Sequence, residues 1–374
     1  MRIFGSKELK EDVIAKGLCI GCGACINLCP YFRSYKGKTA GLFPCTVEKG
    51  RCFAYCPKVE VDLEALSQQT FGRPYDGNPL GSYRQIKIAR AGKAVGAGQF
   101  QAGGTVSALM CFALSQGIVD AAVLTGKDEL LPVPRLARTA EEVLSCAASK
   151  YSAAPTLSGL NEAIKAGGER LGVVATPCQT LAAAALRQNP MNDENFRDPV
   201  ALLVGLFCTW SLDYRAFEAY VAGRVDIGRV RKVDIPPPPA EVLEIYTDNR
   251  KITVPLNEVR ALTNDTCGYC LDMTAEFSDL SVGVLEGRTD KNTLVIRTKR
   301  GEEVAAAAEK AGYLVLEEMP AENLEHLRWA AGNKKKRALA RIQEAGRLNT
   351  AEEAGRAMVR MNADVAVAIL GQDG

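Results

Sequence analysis

The middle of the chain alternates short apolar runs, typical of buried strands, with segments typical of helices. The predicted strands are Gln85–Arg90, Ala121–Gly126, Leu171–Thr176 and Val200–Phe207, and the predicted helices are Thr105–Gln116, Thr139–Ser149 and Pro177–Gln188. Thr139 followed by Glu142 three residues later is an N-terminal capping pattern, which supports the second helix. The alternation predicts an α/β fold, α+β overall, with a mostly parallel sheet in its core.

Two irregular stretches interrupt this pattern. Phe71–Gly81 is rich in Gly, Pro and Asn and is predicted to be a linker. Asp234–Glu241 contains four consecutive prolines, which fit neither a helix nor a central strand, and is predicted to be an extended connector. Beyond it, the pattern predicts a hairpin (Glu241–Thr247 and Lys251–Leu256), a strand (Asn292–Thr298) and a helical tail from about Ala321. We therefore divide the chain into an N-terminal domain (1–66), an α/β core (67–235), a C-terminal α+β part (236–320) and the tail (321–374).

Composition and charge narrow the possible functions. The hydrophobic content of 47% and charged content of 24% are those of a globular protein, and a net charge of +2 gives no reason to expect nucleic acid binding. Thr105–Gly126 is interrupted by polar residues, so it predicts a buried helix and strand instead of a membrane span. The basic run Lys334–Arg337 is interpreted as a solvated helix face. A single histidine, His326, disfavours catalysis by histidine acid–base chemistry.

Thirteen cysteines in close clusters, without an export signal, predict metal ligands in a reducing cytoplasm. The run Cys19–Pro30 has the cysteine spacing of bacterial ferredoxins, in which the cysteine before proline binds the other cluster. That rule assigns Cys19, Cys22, Cys25 and Cys56 to one 4Fe-4S cluster and leaves Cys29, Cys45 and Cys52 for a second. Four thiolates also suit zinc, which remains an alternative.

The second N-terminal site lacks an eighth cysteine. Lys49 stands where a ferredoxin repeat would place it, and lysine is a poor ligand for a cluster that prefers thiolate. The site is therefore predicted to hold a 3Fe-4S cluster, or a 4Fe-4S cluster completed by another group. Loose structural cysteines are the alternative.

Four further cysteines are scattered along the chain. Cys178 and Cys208 each follow a predicted strand, and the carboxyl ends of parallel strands are where open α/β folds bind ligands. Cys267 and Cys270 form a CxxC pair. Together the four thiols predict a further cluster, although Cys178 and Cys208 alone would equally fit a buried core. Cys111 and Cys146 lie in apolar helices and are interpreted as core residues.

A glycine-rich loop, Gly96–Thr105, lies between a predicted strand and helix. Backbone amides at such a helix start could hold a pyrophosphate, since Gly103 and Gly104 carry no side-chain bulk. The spacing differs from GxGxxG because position 101 is Gln, so a standard dinucleotide fold is not predicted.

Read in order, the core segments resemble the coenzyme F420 hydrogenase/dehydrogenase beta-subunit family, together with hydroxychlorophyll reductases and some formate dehydrogenase beta subunits. The segments that carry the resemblance are Gly103–Gly126, Leu136–Ser152, Val173–Arg187, Gly205–Cys208 and Cys267–Gly283. The resemblance implies a flavoprotein with FAD and two to three iron–sulfur clusters. Its core would bind flavin, and its N-terminal domain would be ferredoxin-like.

The resemblance also implies site residues. Gly103, Gly104 and Thr105 match the family's loop beside the flavin, and Ser149, Lys150 and Tyr151 match its Ser-Lys-Tyr segment. The four scattered cysteines match motifs that suit a cluster near the flavin. Lys150 is the candidate catalytic residue, to stabilise reduced flavin or bind an acidic carrier, with a lysine capping a helix end as the alternative. Ala102 replaces the family's serine, which puts that flavin contact in doubt.

The sequence therefore predicts a cytoplasmic oxidoreductase subunit that transfers electrons through FAD and 4Fe-4S clusters, since flavin exchanges both hydrides and single electrons. Expected partners are hydrogenase-, formate dehydrogenase- or heterodisulfide reductase-like subunits and a soluble carrier of the coenzyme F420, NAD(P) or ferredoxin type. The alternatives are a stand-alone reductase of an organic substrate and an electron-relay or assembly subunit without flavin.

Overall fold

The structure is a computed structural model that describes residues 2–96, 98, 100–236, 240–351 and 356–371. The helices are α1 (Ser6–Leu9), α2 (Arg51–Ala54), α3 (Leu63–Phe71), α4 (Thr105–Ser115), α5 (Ala140–Ser145), α6 (Thr156–Lys165), α7 (Pro177–Arg187), α8 (Tyr214–Ala222), α9 (Leu256–Arg260), α10 (Lys299–Lys310), α11 (Ala321–Glu344) and α12 (Ala363–Gly371).

The strands of the main sheet are β4 (Gln85–Ala91), β5 (Ala121–Asp128), β6 (Leu131–Ala137), β7 (Leu171–Ala175), β8 (Val200–Leu206), β12 (Leu280–Val284), β13 (Asn292–Ile296) and β14 (Leu314–Glu318). The other strands are β1 (Phe32–Tyr35), β2 (Lys38–Gly41), β3 (Val61–Asp62), β9 (Val230–Asp234), β10 (Val242–Thr247), β11 (Lys251–Pro255), β15 (Leu348–Asn349) and β16 (Val359–Arg360).

The core of the described chain is an eight-stranded sheet in the order β14-β4-β13-β12-β8-β7-β5-β6. Strands β12, β8, β7 and β5 are parallel neighbours, and β4 runs in the same direction because it is antiparallel to β13, which is antiparallel to β12. Five of these eight strands thus point the same way. The predicted α/β fold with a mostly parallel sheet is confirmed.

Alternation along the strands supplies apolar side chains to both faces of this sheet. On β5, Ala122 and Leu124 pack in the cluster that contains α4 and α10 residues, whereas Ala121 and Val123 pack in the cluster that contains α6 and α7 residues. A parallel sheet needs such cover on both faces, and the two helical layers provide it.

The predicted elements of the core agree with the structure, with three differences. Helix α5 keeps the predicted Thr139–Glu142 capping box but ends at Ser145. Strand β6 carries Pro132 and Pro134, which hid it from pattern reading, and it lies at the edge of the sheet, where proline is tolerated. Helices α6 and α8 and strand β9 were not predicted.

The predicted hairpin is confirmed as β10 and β11, with β9 on its other side. Of the predicted proline connector Asp234–Glu241, residues 237–239 lie outside the described residues. The three boundaries between the four parts of the chain remain predictions. The structure adds that β12, β13 and β14 share the main sheet with strands of the α/β core.

The N-terminal segment shares an apolar core with the C-terminal helices. Leu9, Phe32 and Phe53 pack in one cluster with Leu339 on α11 and Ile369 on α12. The long helix predicted from about Ala321 is therefore present, and it covers the cysteine-rich segment. None of the helices in the described ranges is long and apolar enough to cross a membrane.

One surface interpretation is wrong, and one predicted linker is partly buried. The stretch Phe71–Gly81 contains no helix or strand after Phe71, and its Tyr75 and Leu80 are buried. The basic run on α11 is not a solvated face, since Lys334 and Lys335 are 6% and 1% exposed. Lys335 forms a buried ion pair with Glu276 at 2.7 Å, and the position of Lys334 belongs to the site described next.

Candidate redox site at the carboxyl edge of the sheet

Four of the predicted ligands meet where the parallel strands end. We call Cys178, Cys208, Cys267 and Cys270 the inner thiol group. Cys178 is the second residue of α7, directly after β7, and its Sγ lies 3.4 Å from Thr176 Oγ1. Cys208 follows β8, and its amide donates to the Met273 carbonyl at 2.9 Å. Cys267 and Cys270 lie on and just after the turn Asp265–Tyr269.

Burial is the main influence on the pKa of three inner thiols, those of Cys178, Cys208 and Cys267. It raises the pKa of Cys178 to about 11, and the nearby Cys270 and Cys267 thiols contribute to the same rise. Burial likewise raises the pKa of Cys208. Thiolates at such positions need positive charge to compensate them, which iron or another metal supplies.

The first thiol group, Cys19, Cys22, Cys25 and Cys56, is also brought together as predicted. All four residues line one small cavity together with apolar neighbours such as Leu9 and Val13. Burial raises the pKa of Cys56 to about 12 and also raises the pKa of Cys22 and Cys25, and neighbouring thiols add to each shift. A cavity ringed by four such thiols fits a cluster with four cysteine ligands.

The outer thiol group consists of Cys29, Cys45 and Cys52. Burial raises the pKa of Cys52 to about 11, and the thiols of Cys29 and Cys45 contribute to the same rise, so the three residues are neighbours. Lys49, which stands at the missing eighth position, is exposed. The type of cluster at this site remains a prediction.

The zinc alternative for these thiols stays open. Within the described ranges, no group of three or more His, Cys, Asp or Glu side chains is arranged to hold a metal ion. The choice between zinc and an iron–sulfur cluster at each thiol group remains a prediction.

The first and inner thiol groups adjoin each other. The thiolates of Cys56 and Cys178 both raise the pKa of Cys22, after burial. Thr266, beside Cys267, donates its hydroxyl to the Leu18 carbonyl at 2.8 Å, one residue before Cys19. Lys58, two residues after Cys56, donates to the Thr266 carbonyl at 3.1 Å. The two groups are therefore held together by direct hydrogen bonds.

The glycine loop packs tightly at the same edge. The Gly103 carbonyl accepts from the Ala91 amide at the end of β4, and a Cβ at Gly103 would lie 2.8 Å from Asn292 Oδ1. Gly104 has a φ of +74°, and a Cβ there would lie 2.8 Å from the Phe100 ring. Packing within the protein is thus one sufficient reason for both glycines. Residues 97 and 99 of the predicted loop lie outside the described residues.

Thr105 begins α4 and is fully buried. Both its amide and its hydroxyl donate to Asn292 Oδ1, at 3.3 and 2.9 Å. Asn292 in turn donates to the Gly283 carbonyl at 3.1 Å. Through these hydrogen bonds, Thr105 fixes the start of α4 against β12 and β13.

Gln101 joins the two halves of the predicted flavin site. Its Oε1 accepts from the Ser149 amide at 2.9 Å, and its Nε2 donates to the Tyr151 hydroxyl at 2.6 Å and to Asp234 at 2.9 Å. The Tyr151 hydroxyl also accepts from the Ile235 amide at 2.9 Å. The sequence pattern identified Gln101 only as a departure from GxGxxG. Its position between two glycine pairs was the sequence feature that could have indicated a role in the site.

Lys150 lies close to the end of α5. Its ammonium donates to the carbonyls of Cys146, Ala147 and Ala148, the last at 2.9 Å. Burial lowers the pKa of Lys150 to about 8. These contacts correspond to the helix-capping alternative, and a catalytic role for Lys150 remains a prediction.

The segment Ser149–Tyr151, which we call the predicted flavin segment, is also connected to the inner thiol group. The Tyr151 carbonyl accepts from the Leu212 amide at 2.7 Å and from the Ser211 hydroxyl at 3.3 Å. The Ser211 amide donates to Cys267 Sγ at 3.3 Å. One residue thus separates the backbone of Tyr151 from an inner thiol. Of the two cysteines interpreted as core, Cys111 is buried and Cys146 is partly buried against the same cluster.

Comparison with known proteins identifies relatives over most of this region. Two family models described as "Coenzyme F420 hydrogenase/dehydrogenase, beta subunit" match the chain, the N-terminal model over residues 88–161 and the C-terminal model over residues 168–322. The chain is 30% identical over 250 residues to a coenzyme F420 hydrogenase subunit beta of Methanothermobacter thermautotrophicus, covering 66% of this chain and 87% of that protein.

Two other similarities extend the comparison. The chain is 29% identical over 324 residues to a coenzyme F420-dependent sulfite reductase of Methanocaldococcus jannaschii, covering 83% of this chain but 49% of the relative. The fold of the present chain matches a chain of the F420-reducing NiFe hydrogenase complex from Methanosarcina barkeri, with a TM-score of 0.65 and 28% identity. The match covers 71% of the present chain and 93% of the hydrogenase chain.

Proposed function

The chain belongs to the coenzyme F420 hydrogenase/dehydrogenase beta-subunit family, and we propose that it is an iron–sulfur flavoprotein subunit that passes electrons between a hydride carrier and a redox partner. The observation that carries the proposal is the convergence of two four-thiol groups at adjoining positions, with the predicted flavin segment one residue away from the inner group. The named relatives are oxidoreductases or their subunits.

In this proposal the first and inner thiol groups each hold a 4Fe-4S cluster, and the outer thiol group holds a further one of 3Fe-4S or incomplete 4Fe-4S type. When bound, such clusters accept and donate single electrons. The protein provides four thiolates for each complete site and keeps water away from them with apolar side chains. The Thr266–Leu18 and Lys58–Thr266 hydrogen bonds hold the two sites side by side.

FAD is proposed to bind at the carboxyl edge, beside Gly103–Thr105 and Ser149–Tyr151. Gln101 fixes these two segments relative to each other through hydrogen bonds at 2.6 and 2.9 Å. Asn292 and the Phe100 ring fill the space where side chains at Gly103 and Gly104 would lie, so the loop backbone is held in a fixed position at this edge. Bound flavin supplies the conversion between a hydride and single electrons.

Coenzyme F420 is the proposed carrier, because it is the one in the names of the hydrogenase and sulfite reductase relatives. A hydrogenase-like redox subunit is the proposed partner. The match spans only about half of the sulfite reductase relative. This supports a system in which the present chain and its redox partner are separate subunits. An assay could instead identify NAD(P) or ferredoxin as the carrier. It could likewise identify a formate dehydrogenase- or heterodisulfide reductase-like subunit as the partner.

The proposal is tested with anaerobically purified, reconstituted full-length protein. Addition of reduced coenzyme F420 should bleach the flavin absorbance and produce the EPR signals of reduced clusters, with NADPH and reduced ferredoxin run in parallel. Bleaching by NADPH or ferredoxin alone would show that the carrier is not coenzyme F420, and the proposed electron-transfer function would stand. A protein that carries neither flavin nor iron after reconstitution would overturn the proposal.

A further inference from the structure

Two buried lysines lie at the inner thiol group, and neither pairs with a carboxylate among the described residues. Lys58 is 5% exposed, and its ammonium donates to the Thr266 carbonyl at 3.1 Å. Lys334 is 6% exposed, and its ammonium donates to the carbonyls of Cys208 and Asp272 at 2.6 and 2.8 Å. The Asp272 carboxylate is itself engaged by the amides of Thr274 and Glu276.

Buried charges in proteins are normally paired, because an ammonium that leaves water without an anionic partner is costly. The neighbouring Lys335 follows this rule, since it pairs with Glu276 at 2.7 Å. The groups beside Lys58 that can become anionic are the thiols of Cys56, Cys178 and Cys267. Beside Lys334 they are the thiols of Cys270, Cys208 and Cys267, together with the Asp272 carboxylate, whose oxygens accept from two backbone amides.

The positive charge is unevenly distributed between the thiol groups. Lys58 lies between the first and inner groups, whereas Lys334 lies at the inner group alone. Lys38 approaches the first group through the Cys19 carbonyl, but it is more exposed and has Asp213 at 3.5 Å to offset its charge. A fixed cation stabilises the more negative, reduced form of a cluster and so raises its reduction potential.

We propose that Lys334 and Lys58 are positioning residues that compensate the charge of an inner iron–sulfur cluster, and that Lys334, which acts on this cluster alone, holds its reduction potential above that of the first cluster. Electrons that reach the first site are then drawn towards the inner site, beside the flavin segment. This inference rests on the proposed function, because it requires clusters at both thiol groups. It adds the identity of the residues that order their potentials.

The test is an EPR-monitored redox titration of anaerobically purified, full-length variants, with iron content measured on each. A Cys267→Ser variant first identifies the signal of the inner cluster. Lys334→Met should shift the midpoint potential of that signal to a more negative value and leave the first cluster unchanged. Lys58→Met should lower both midpoints. Lys334→Arg, which keeps the charge, and Lys310→Met, at an exposed lysine on α10, should shift neither.

If Lys334→Met does not fold, Lys334→Gln replaces it in the redox titration, because glutamine removes the charge but keeps a hydrogen-bond donor. Unchanged inner midpoints in Lys334→Met or Lys334→Gln with full iron content would overturn the inference and leave the proposed function intact. An equal shift in Lys334→Arg would also overturn it, because loss of packing and not of charge would be the cause. Wild-type protein without iron would overturn both.

Discussion

At the scale of single residues, the sequence indicated the cysteine groups more clearly than the residues around them. Ferredoxin-like spacing grouped Cys19, Cys22, Cys25 and Cys56, and strand-end positions with a CxxC pair grouped the inner thiols. The structure brings the members of each group close together, and their role as ligands remains a prediction. Gln101 and Lys334 were not predicted as site residues, because their roles depend on burial. Whether a lysine on a helix is solvated depends on which face of the helix is covered, and the Lys334–Arg337 run alone does not reveal that.

Gln101→Ala should loosen the flavin site without unfolding the protein. The substitution removes hydrogen bonds to Ser149 and Tyr151 and leaves the Tyr151 hydroxyl with its contacts to Ile235 and Asp234. At about 1–3 kcal/mol for such lost bonds, FAD should bind roughly 5- to 100-fold more weakly. Fluorescence titration of FAD into deflavinated protein measures this, with the exposed Gln116→Ala as control. Equal affinities in Gln101→Ala and wild type would contradict the assigned role.

Lys150 should make stability depend on pH above neutrality. Its folded pKa, about 8, lies below the usual value for lysine, so the folded state binds this proton more weakly than the unfolded state. The resulting cost is fully present below about pH 8 and decreases as the pH rises towards 10.

The free energy of unfolding of wild type relative to Lys150→Met should therefore increase between about pH 7.5 and about 9.5. Urea denaturation of both proteins at each pH measures it, and the exposed Lys310→Met variant is the control. A difference between wild type and Lys150→Met that stays constant over this range would show that Lys150 is solvated.

At the scale of elements, α11 connects parts of the chain that are distant in sequence. Its Lys335 pairs with Glu276 and donates to the Tyr75 hydroxyl at 3.0 Å and the Asn78 carbonyl at 2.6 Å. The helix itself was predicted from its composition, but its contacts were not, since they depend on how the 72–81 segment folds back. Edge strand β6 shows the same limit, because its prolines are compatible with a strand only at the edge.

Lys335→Met should destabilise the protein by about 3–5 kcal/mol, because it leaves the Glu276 carboxylate buried and unpaired. The double variant Lys335→Met/Glu276→Leu should recover much of that loss, since no charge is then buried. Chemical denaturation of the wild type, the two single variants Lys335→Met and Glu276→Leu, and the double variant gives the coupling free energy. A double variant as unstable as the sum of the two single variants would mean that the pair is not coupled.

At the scale of the whole molecule, the cysteine-rich segment and the C-terminal helices form one core around the first thiol group. Leu9 and Phe53 pack with Leu339 and Ile342 of α11. The sequence predicted a ferredoxin-like domain over residues 1–66, and metal sites often replace an apolar core in small domains. It could not show that residues from the far end of the chain complete this one, since such packing leaves no local pattern.

This shared core predicts that the two ends of the chain unfold together. Leu339→Ala on α11, a fully buried residue, should destabilise the protein by about 2–5 kcal/mol and lower the thermal midpoint of the first cluster's loss along with that of global unfolding. Circular dichroism and cluster absorbance followed on the same sample measure the two midpoints. Cluster loss well before global unfolding, in variant and wild type alike, would show that the N-terminal segment is independent.

The measurement that tests the central claim most directly is the iron and FAD content of anaerobically purified full-length protein beside its Cys267→Ser/Cys270→Ser variant. The claim predicts that the variant folds and loses about four irons per chain relative to wild type, while the EPR signal of the first cluster persists. It also predicts about one FAD per wild-type chain. A folded variant with the iron content of wild type would contradict the inner cluster and, with it, the proposed electron route to the flavin.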